Sequence, residues 1–212
     1  STYKYIYKTL IILWELNKMI FDDALNDIIE NVNKTTHGVK DEDVTQMTQM
    51  IREVENIFVM GLGRSGLVAK AFAMRLMHLG LSVAVVGETT TPAIGPNDCL
   101  IAISGSGETS HILSAVATSK DIGSKIIAIT SYTDSSLANE ADIIIQLKGR
   151  TKIDEDNNYT SRQISGLHST LSPMGTIFEI SSLIFLDSII AQLMEDLHQT
   201  EKDLKARHTV LE

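Results

Sequence analysis

Two glycine-rich stretches carry the most explicit chemistry in this sequence. Gly61-Leu62-Gly63-Arg64-Ser65-Gly66 follows the apolar run 57–60 and precedes a helical pattern, so it is a strand-to-helix turn of the GxGxxG form. Its glycines let backbone amides approach an anion, and the helix N-terminus adds about half a positive charge. Glu88 lies 22 residues after Gly66, just past the second apolar run, where a dinucleotide site places its ribose-binding acid. This loop alone leaves three readings open: a nicotinamide or flavin, another anion, or a tight turn. A Walker loop is excluded, because Leu67 stands where its lysine would be. The second stretch is Ser104-Gly105-Ser106-Gly107-Glu108-Thr109, at another strand-to-helix junction. Ser104, Ser106 and Thr109 offer three hydroxyls beside free amides, a donor set that holds a single phosphomonoester without lysine. N-capping accounts for one of the hydroxyls. A dinucleotide has its pyrophosphate site at the first loop and does not need the second, so the pair favours a small phosphate ester.

Such loops need strands to aim them. Short apolar runs at 57–61, 82–86, 99–103, 125–129 and 142–147 predict five strands, and continuous runs such as Ile126-Ile127-Ala128-Ile129 suit strands covered on both faces. Helical spacing between them predicts helices at 66–79, closed by Gly80, at 108–120 and near 134–139, and a last long helix from Met174 to Leu197 opened by Pro173. The expected fold is a three-layer α/β/α sandwich on a five-stranded parallel sheet, Rossmann-like or flavodoxin-like, with its loops converging on one crevice. Residues 1–212 form one domain: an N-terminal helical extension over 1–53, a βα core over 56–147 and C-terminal helices over 173–205. Within the extension the pattern predicts one long helix over about 5–31, or two joined near Asp22, broken at Asn33–Thr36, and a weaker one over 41–53. The polar, patternless stretch 148–172 is a long loop, a kind that tends to be functional or mobile.

Composition narrows the partners. In 212 residues, 18 Lys and Arg stand against 27 Asp and Glu, a net charge of −9. That field repels polyanions, and no basic cluster offsets it, so no nucleic acid and no anionic membrane is expected as a partner. Lys4 and Lys8 before the apolar run 10–14 imitate a signal peptide, but Glu15 and Lys18 cut the run short and no small-residue cleavage site follows. The apolar stretch 177–194 contains Glu179 and Asp187 and is expected to be a core helix. A single cysteine, Cys99, excludes an internal disulfide and suits the cytoplasm. His37, His111, His168 and His198 show no metal-ligand spacing, and His78, beside Leu76 and Leu79, is expected to be a core histidine.

Six blocks in order resemble one family, the sugar isomerase domain, and within it the 6-phospho-3-hexuloisomerases. They are the two loops just described; Ala73-Met74-Arg75-Leu76-Met77-His78-Leu79-Gly80; Val86-Gly87-Glu88-Thr89-Thr90-Thr91-Pro92; Pro173-Met174-Gly175-Thr176-Ile177-Phe178-Glu179; and the terminal Arg207-His208. The loop 148–172 is longer than the family pattern, and the N-terminal helix carries none of its motifs. The resemblance implies a cofactor-independent and metal-independent interconversion of 3-hexulose 6-phosphate and fructose 6-phosphate through an enediol, in the ribulose monophosphate route, by a cytoplasmic homo-oligomer, a tetramer in the family. A sugar-phosphate sensor of the same fold is the alternative, and a nicotinamide oxidoreductase is a further one. Residues 1–50 show neither the basic clustering nor the helix-turn-helix that a DNA-bound sensor needs.

The implied roles fall on particular positions. Glu179, in the first turns of an apolar helix, is the base that moves the carbon-bound proton. His208 moves the hydroxyl protons, in its own or a neighbouring subunit's site. The implied substrate-binding set is Gly63, Arg64, Ser65, Glu88, Thr89, Ser104, Gly105, Ser106 and Thr109, with Ser65 and Arg64 beside the sugar phosphate and Glu88, Thr89 and Thr90 at the sugar end.

Overall fold

Strand-forming runs and helical stretches alternate here, and the chain resolves that alternation into parallel βαβ units, except between the second and third strands, whose connection over 86–98 holds no helix. The computed structural model describes residues 20–149, 171–173 and 175–209. The expected loop 148–172 and the first helix before residue 20 therefore lie largely outside the described residues. In chain order the elements are α1 (Ile20–Thr36), α2 (Asp41–Glu53), β1 (Ile57–Gly61), α3 (Arg64–His78), β2 (Val83–Val85), β3 (Cys99–Ile103) and α4 (Ser110–Ile122), then β4 (Lys125–Thr130), α5 (Ser136–Glu140), β5 (Ile143–Gln146), α6 (Thr176–Asp196) and α7 (Glu201–Arg207). All five strands pair in parallel in the order β2-β1-β3-β4-β5. This is the doubly wound, flavodoxin-like arrangement, and it reverses direction between β1 and β3. The loops leaving those two strands are Gly61–Gly66 and Ser104–Thr109, so topology alone places both at the switch point.

Alternation along each strand divides the core in two. Ile57, Val59, Ile101, Ile103, Ile127 and Ile129 face α2, α3 and α6, whereas Phe58, Met60, Leu100, Ala102, Ile126 and Ala128 face α4 and α5. Burying a side chain of this size contributes roughly 1.5–3 kcal/mol. An exposed ion pair such as Lys120–Glu140 contributes about 0.5 kcal/mol, so the layers rest on apolar packing. The helix α6 is long and apolar enough to cross a membrane by length and composition. It is instead the central core helix, with Phe178, Phe185, Leu186, Ile189, Ile190 and Leu193 buried against the sheet, α3 and neighbouring helices.

Two expected boundaries are corrected. The first helix does not break at Asn33–Thr36 but runs through Thr36, because Val32 and Thr35 are buried there and Thr35 Oγ1 donates to the Lys148 carbonyl at 2.7 Å. Tertiary anchoring overrides the low helix propensity of Asn and Thr. The last helix, expected from Met174, begins at Thr176: Pro173 lies two residues before the N-cap Gly175 and accepts the Thr176 N–H through its carbonyl at 3.1 Å.

At the opposite edge of the sheet from the two loops, Asp98 is buried and fastens the strand starts. Its Oδ1 accepts the backbone N–H and the side-chain amide of Asn56 at 3.1 and 2.8 Å, and its Oδ2 accepts the Gly95 N–H at 2.6 Å. Cys99, the next residue, is fully enclosed, and burial pushes its thiol up to about 12. Native protein at neutral pH should therefore be inert to a thiol-specific disulfide reagent, with reaction only as urea unfolds the chain. Rapid labelling in buffer would contradict this packing.

Candidate active site

The first loop is built by backbone contact. A Cβ at Gly61 would stand 2.5 Å from the Ser65 carbonyl oxygen and one at Gly66 2.9 Å from that of Gly61, so strand and helix meet here at the closest approach two backbones allow. Gly63 is the N-cap of α3, with nothing within 4 Å of its Cβ position, so it borders open space. Arg64 then opens α3, and its guanidinium Nε donates to Glu179 Oε2 on the first turn of α6. The Glu179 side chain is only 15% exposed, whereas that of Arg64 is 61% exposed. The structure thus gives Arg64 a partner that sequence reasoning did not foresee: it holds the candidate base instead of standing free for a phosphate.

The second loop turns on its own hydroxyls. Ser104 is buried, its Oγ lies 3.1 Å from Thr109 Oγ1, and it accepts the Gly107 N–H at 3.2 Å. Ser106 Oγ accepts the Glu108 N–H at 3.2 Å. More of the hydroxyl set is spent on the turn than the single N-cap expected. The backbone N–H groups of Gly105 and Ser106 have no acceptor among the described residues, and the first-turn amides of α4 point the same way, as in any helix N-terminus. Gly107 has φ +67°, and a Cβ there would stand 2.1 Å from Ser135 Oγ.

Phe178 ties the two halves together. Its ring lies over Gly105, 3.1 Å from where a Cβ would be, and the next residue is Glu179. Phe178 stood in one of the family blocks but was given no role, since an apolar residue on an apolar helix carries no chemical signal. One site therefore gathers Gly63, Arg64, Ser65 and Glu179 on one side and Ser104, Gly105, Ser106 and Thr109 on the other.

Three further expected members stand apart from these contacts. Glu88 pairs with Lys70 of α3 at 2.5 Å, and Thr89 is exposed in the loop after β2; among the described residues neither bonds to the serine loop. Lys70 was missed because a lone lysine on a helix gives no signal of its partner. His208 caps the end of α7 and stacks at 5.1 Å on His78, the buried last residue of α3. Burial, then the neighbouring His208 and Arg75, hold the His78 imidazole below its usual range. Arg207 donates to the His78 carbonyl at 3.1 Å and to Gln199 Oε1 at 3.0 Å, docking α7 on the C-terminal end of α3. Arg64 begins that same 15-residue helix, so His208 stands about 20 Å from the Arg64–Glu179 pair. A single chain does not bring the two expected catalytic residues together.

Comparison with known proteins sharpens the picture. The family description "SIS domain" matches residues 50–178. An uncharacterized protein of Archaeoglobus fulgidus is 47% identical, covering 89% of this chain and 98% of its own. The 3-hexulose-6-phosphate isomerase of Bacillus subtilis is 36% identical, over 88% of this chain and 96% of its own. Among solved structures, a Methanococcus jannaschii protein, for which a molecular function of 3-hexulose-6-phosphate isomerase has been inferred, superimposes with a TM-score of 0.73 at 36% identity, covering 91% of this chain and 98% of that one.

The serine loop supplies a direct test of its geometry. Gly107→Ala combines positive φ with a clash against Ser135 and should cost roughly 2 kcal/mol or more of stability. Urea unfolding followed by circular dichroism measures this, and an unchanged midpoint would mean that the turn is built differently.

Proposed function

This chain belongs to the SIS domain family, and from that premise we propose that it isomerises a phosphorylated ketohexose, interconverting 3-hexulose 6-phosphate and fructose 6-phosphate. The observation that carries the reading is one shielded carboxylate, Glu179, bonded to Arg64 of the first glycine loop and adjacent in sequence to Phe178, whose ring covers Gly105 of the serine loop. The phosphate is held by the serine loop, where Gly105 and Ser106 N–H groups and the α4 N-terminus supply donors. The sugar then extends past Phe178 toward Glu179.

Moving a carbonyl from C3 to C2 requires four proton movements and no redox partner. Glu179 takes the proton from C2, leaving an enediolate across C2 and C3, and returns it to C3 on the same face. In parallel the C2 hydroxyl loses its proton as that carbon becomes the ketone, and the former C3 carbonyl oxygen gains one. Arg64 holds the carboxylate in place and lies beside the oxygens on which charge develops. An imidazole suits the transfers between oxygens, and His208 is the residue we assign.

Since His208 and Glu179 sit near opposite ends of α3, a second copy of the chain completes the site. The outer face of α3 carries Leu67, 68% exposed, and Met74, 45% exposed, two turns apart with Ala71 between them. At the end of this helix His78 is buried, with His208 against it. An antiparallel pairing of two such faces sets the His78–His208 end of one copy against the Arg64 end of the other. We read the protein as a homo-oligomer on this basis, a tetramer by family resemblance, and as cytoplasmic from its single cysteine.

Glu179→Gln should lower turnover by about a thousandfold while inorganic phosphate still binds. The measurement couples fructose 6-phosphate formation to a nicotinamide-linked dehydrogenase, and full retention of activity would remove Glu179 from the mechanism. Binding without turnover in the wild type would identify a sensor instead. His208→Ala should also be nearly inactive, and co-refolding it with Glu179→Gln should restore part of the activity, because mixed assemblies contain one intact composite site. No recovery would place His208 outside a shared site.

A further inference from the structure

Glu108 takes no part in the reaction just derived, yet it lies in the serine loop, one residue before the N-cap of α4. A carboxylate there is a hazard to an anion site. It repels a phosphate, and it can fold onto the free amides of the helix start and occupy them itself.

The structure directs it away. Oε1 of Glu108 accepts the Ser136 N–H at 2.7 Å, and Oε2 accepts the Ser136 hydroxyl, also at 2.7 Å. Ser136 opens α5, on the segment 131–137 that also grips the loop by its backbone. Ser131 N–H donates to the Gly105 carbonyl at 3.1 Å, and Leu137 N–H donates to the Gly107 carbonyl at 3.0 Å. Gly107 is packed against Ser135 of the same segment. Among the described residues, Glu108 is the side chain of the loop that bonds across to it. The two bonds from Ser136 hold the Glu108 carboxyl below the usual carboxylate range, so the bridge stays charged and made at neutral pH.

We propose that Glu108 is a positioning residue for phosphate binding: its bridge to Ser136 locks the serine loop on the 131–137 segment, presents the Gly105 and Ser106 amides, and keeps its own carboxylate off them. The proposal rests on the sugar-phosphate reading above and deepens it. It assigns a function to an exposed acid whose charge has the wrong sign for its surroundings.

Steady-state kinetics with fructose 6-phosphate and calorimetric titration with inorganic phosphate test it. Glu108→Ala should raise KM and weaken phosphate binding by about tenfold, a larger change than any in kcat. Glu108→Gln keeps an acceptor for the Ser136 N–H and should recover most of the loss. Ser136→Ala should raise KM by roughly threefold, since the backbone donor survives, and the double variant with Glu108→Ala should be no worse than Glu108→Ala alone. KM within twofold of wild type in Glu108→Ala, or full additivity in the double variant, would overturn the proposal. Should Glu108→Ala fail to fold, the Gln and Ser136 variants carry the same comparison. Wild type that binds neither phosphate nor sugar phosphate would overturn the substrate reading and this inference together, whereas normal wild-type binding with unaffected variants would overturn this inference alone.

Discussion

A parallel sheet covered on both faces cannot be joined by hairpins, so each strand must be followed by a crossover, and every strand-to-helix turn falls on one edge of the sheet. That constraint organises the whole molecule. The chain starts in the middle, at β1, goes out to β2 and returns to β3, which leaves a gap between the turns after β1 and β3 that no crossover fills. Both glycine-rich loops open into it. The remaining elements are arranged around that gap: α6 lays Phe178 and Glu179 beside it, and Asp98 fastens the strands at the far end, where no ligand is needed.

The electrostatics follow from the same geometry. A chain of net charge −9 is a poor attractor of phosphates at long range, and charge effects are screened within about 8 Å at physiological ionic strength. Recognition therefore depends on what lies within hydrogen-bond reach. Amides at a helix start present fixed partial charges that cost nothing to reorganise, and they discriminate a compact dianion from an extended polyanion by shape. Arg64 is engaged by the Glu179 carboxylate.

Much of this was legible in the residues. The five strands, their parallel pairing and the two loops followed from continuous apolar runs ending in glycine and serine, because backbone requirements at such turns leave few residue choices. What escaped had a common cause: it depended on partners distant in sequence. The helix α1 continues past Asn33 because Thr35 finds the Lys148 carbonyl, 113 residues away. Arg64 was expected to face a ligand, and its bond to Glu179 spans 115 residues. Glu88 matched a dinucleotide fingerprint by spacing, but Lys70 engages it. The terminal Arg207-His208 pair was recognisable as a motif, whereas its seat on the end of α3 required the fold.

The helix α3 is held at both ends, by Glu179 at Arg64 and by Arg207 at the His78 carbonyl. A helix pinned in this way behaves as a gauge block. Adding one residue would lengthen it by about 1.5 Å and rotate one end by about 100° relative to the other, so one clamp or the other would be lost. A change in the length of this fifteen-residue helix therefore requires at least one of its ends to be rebuilt.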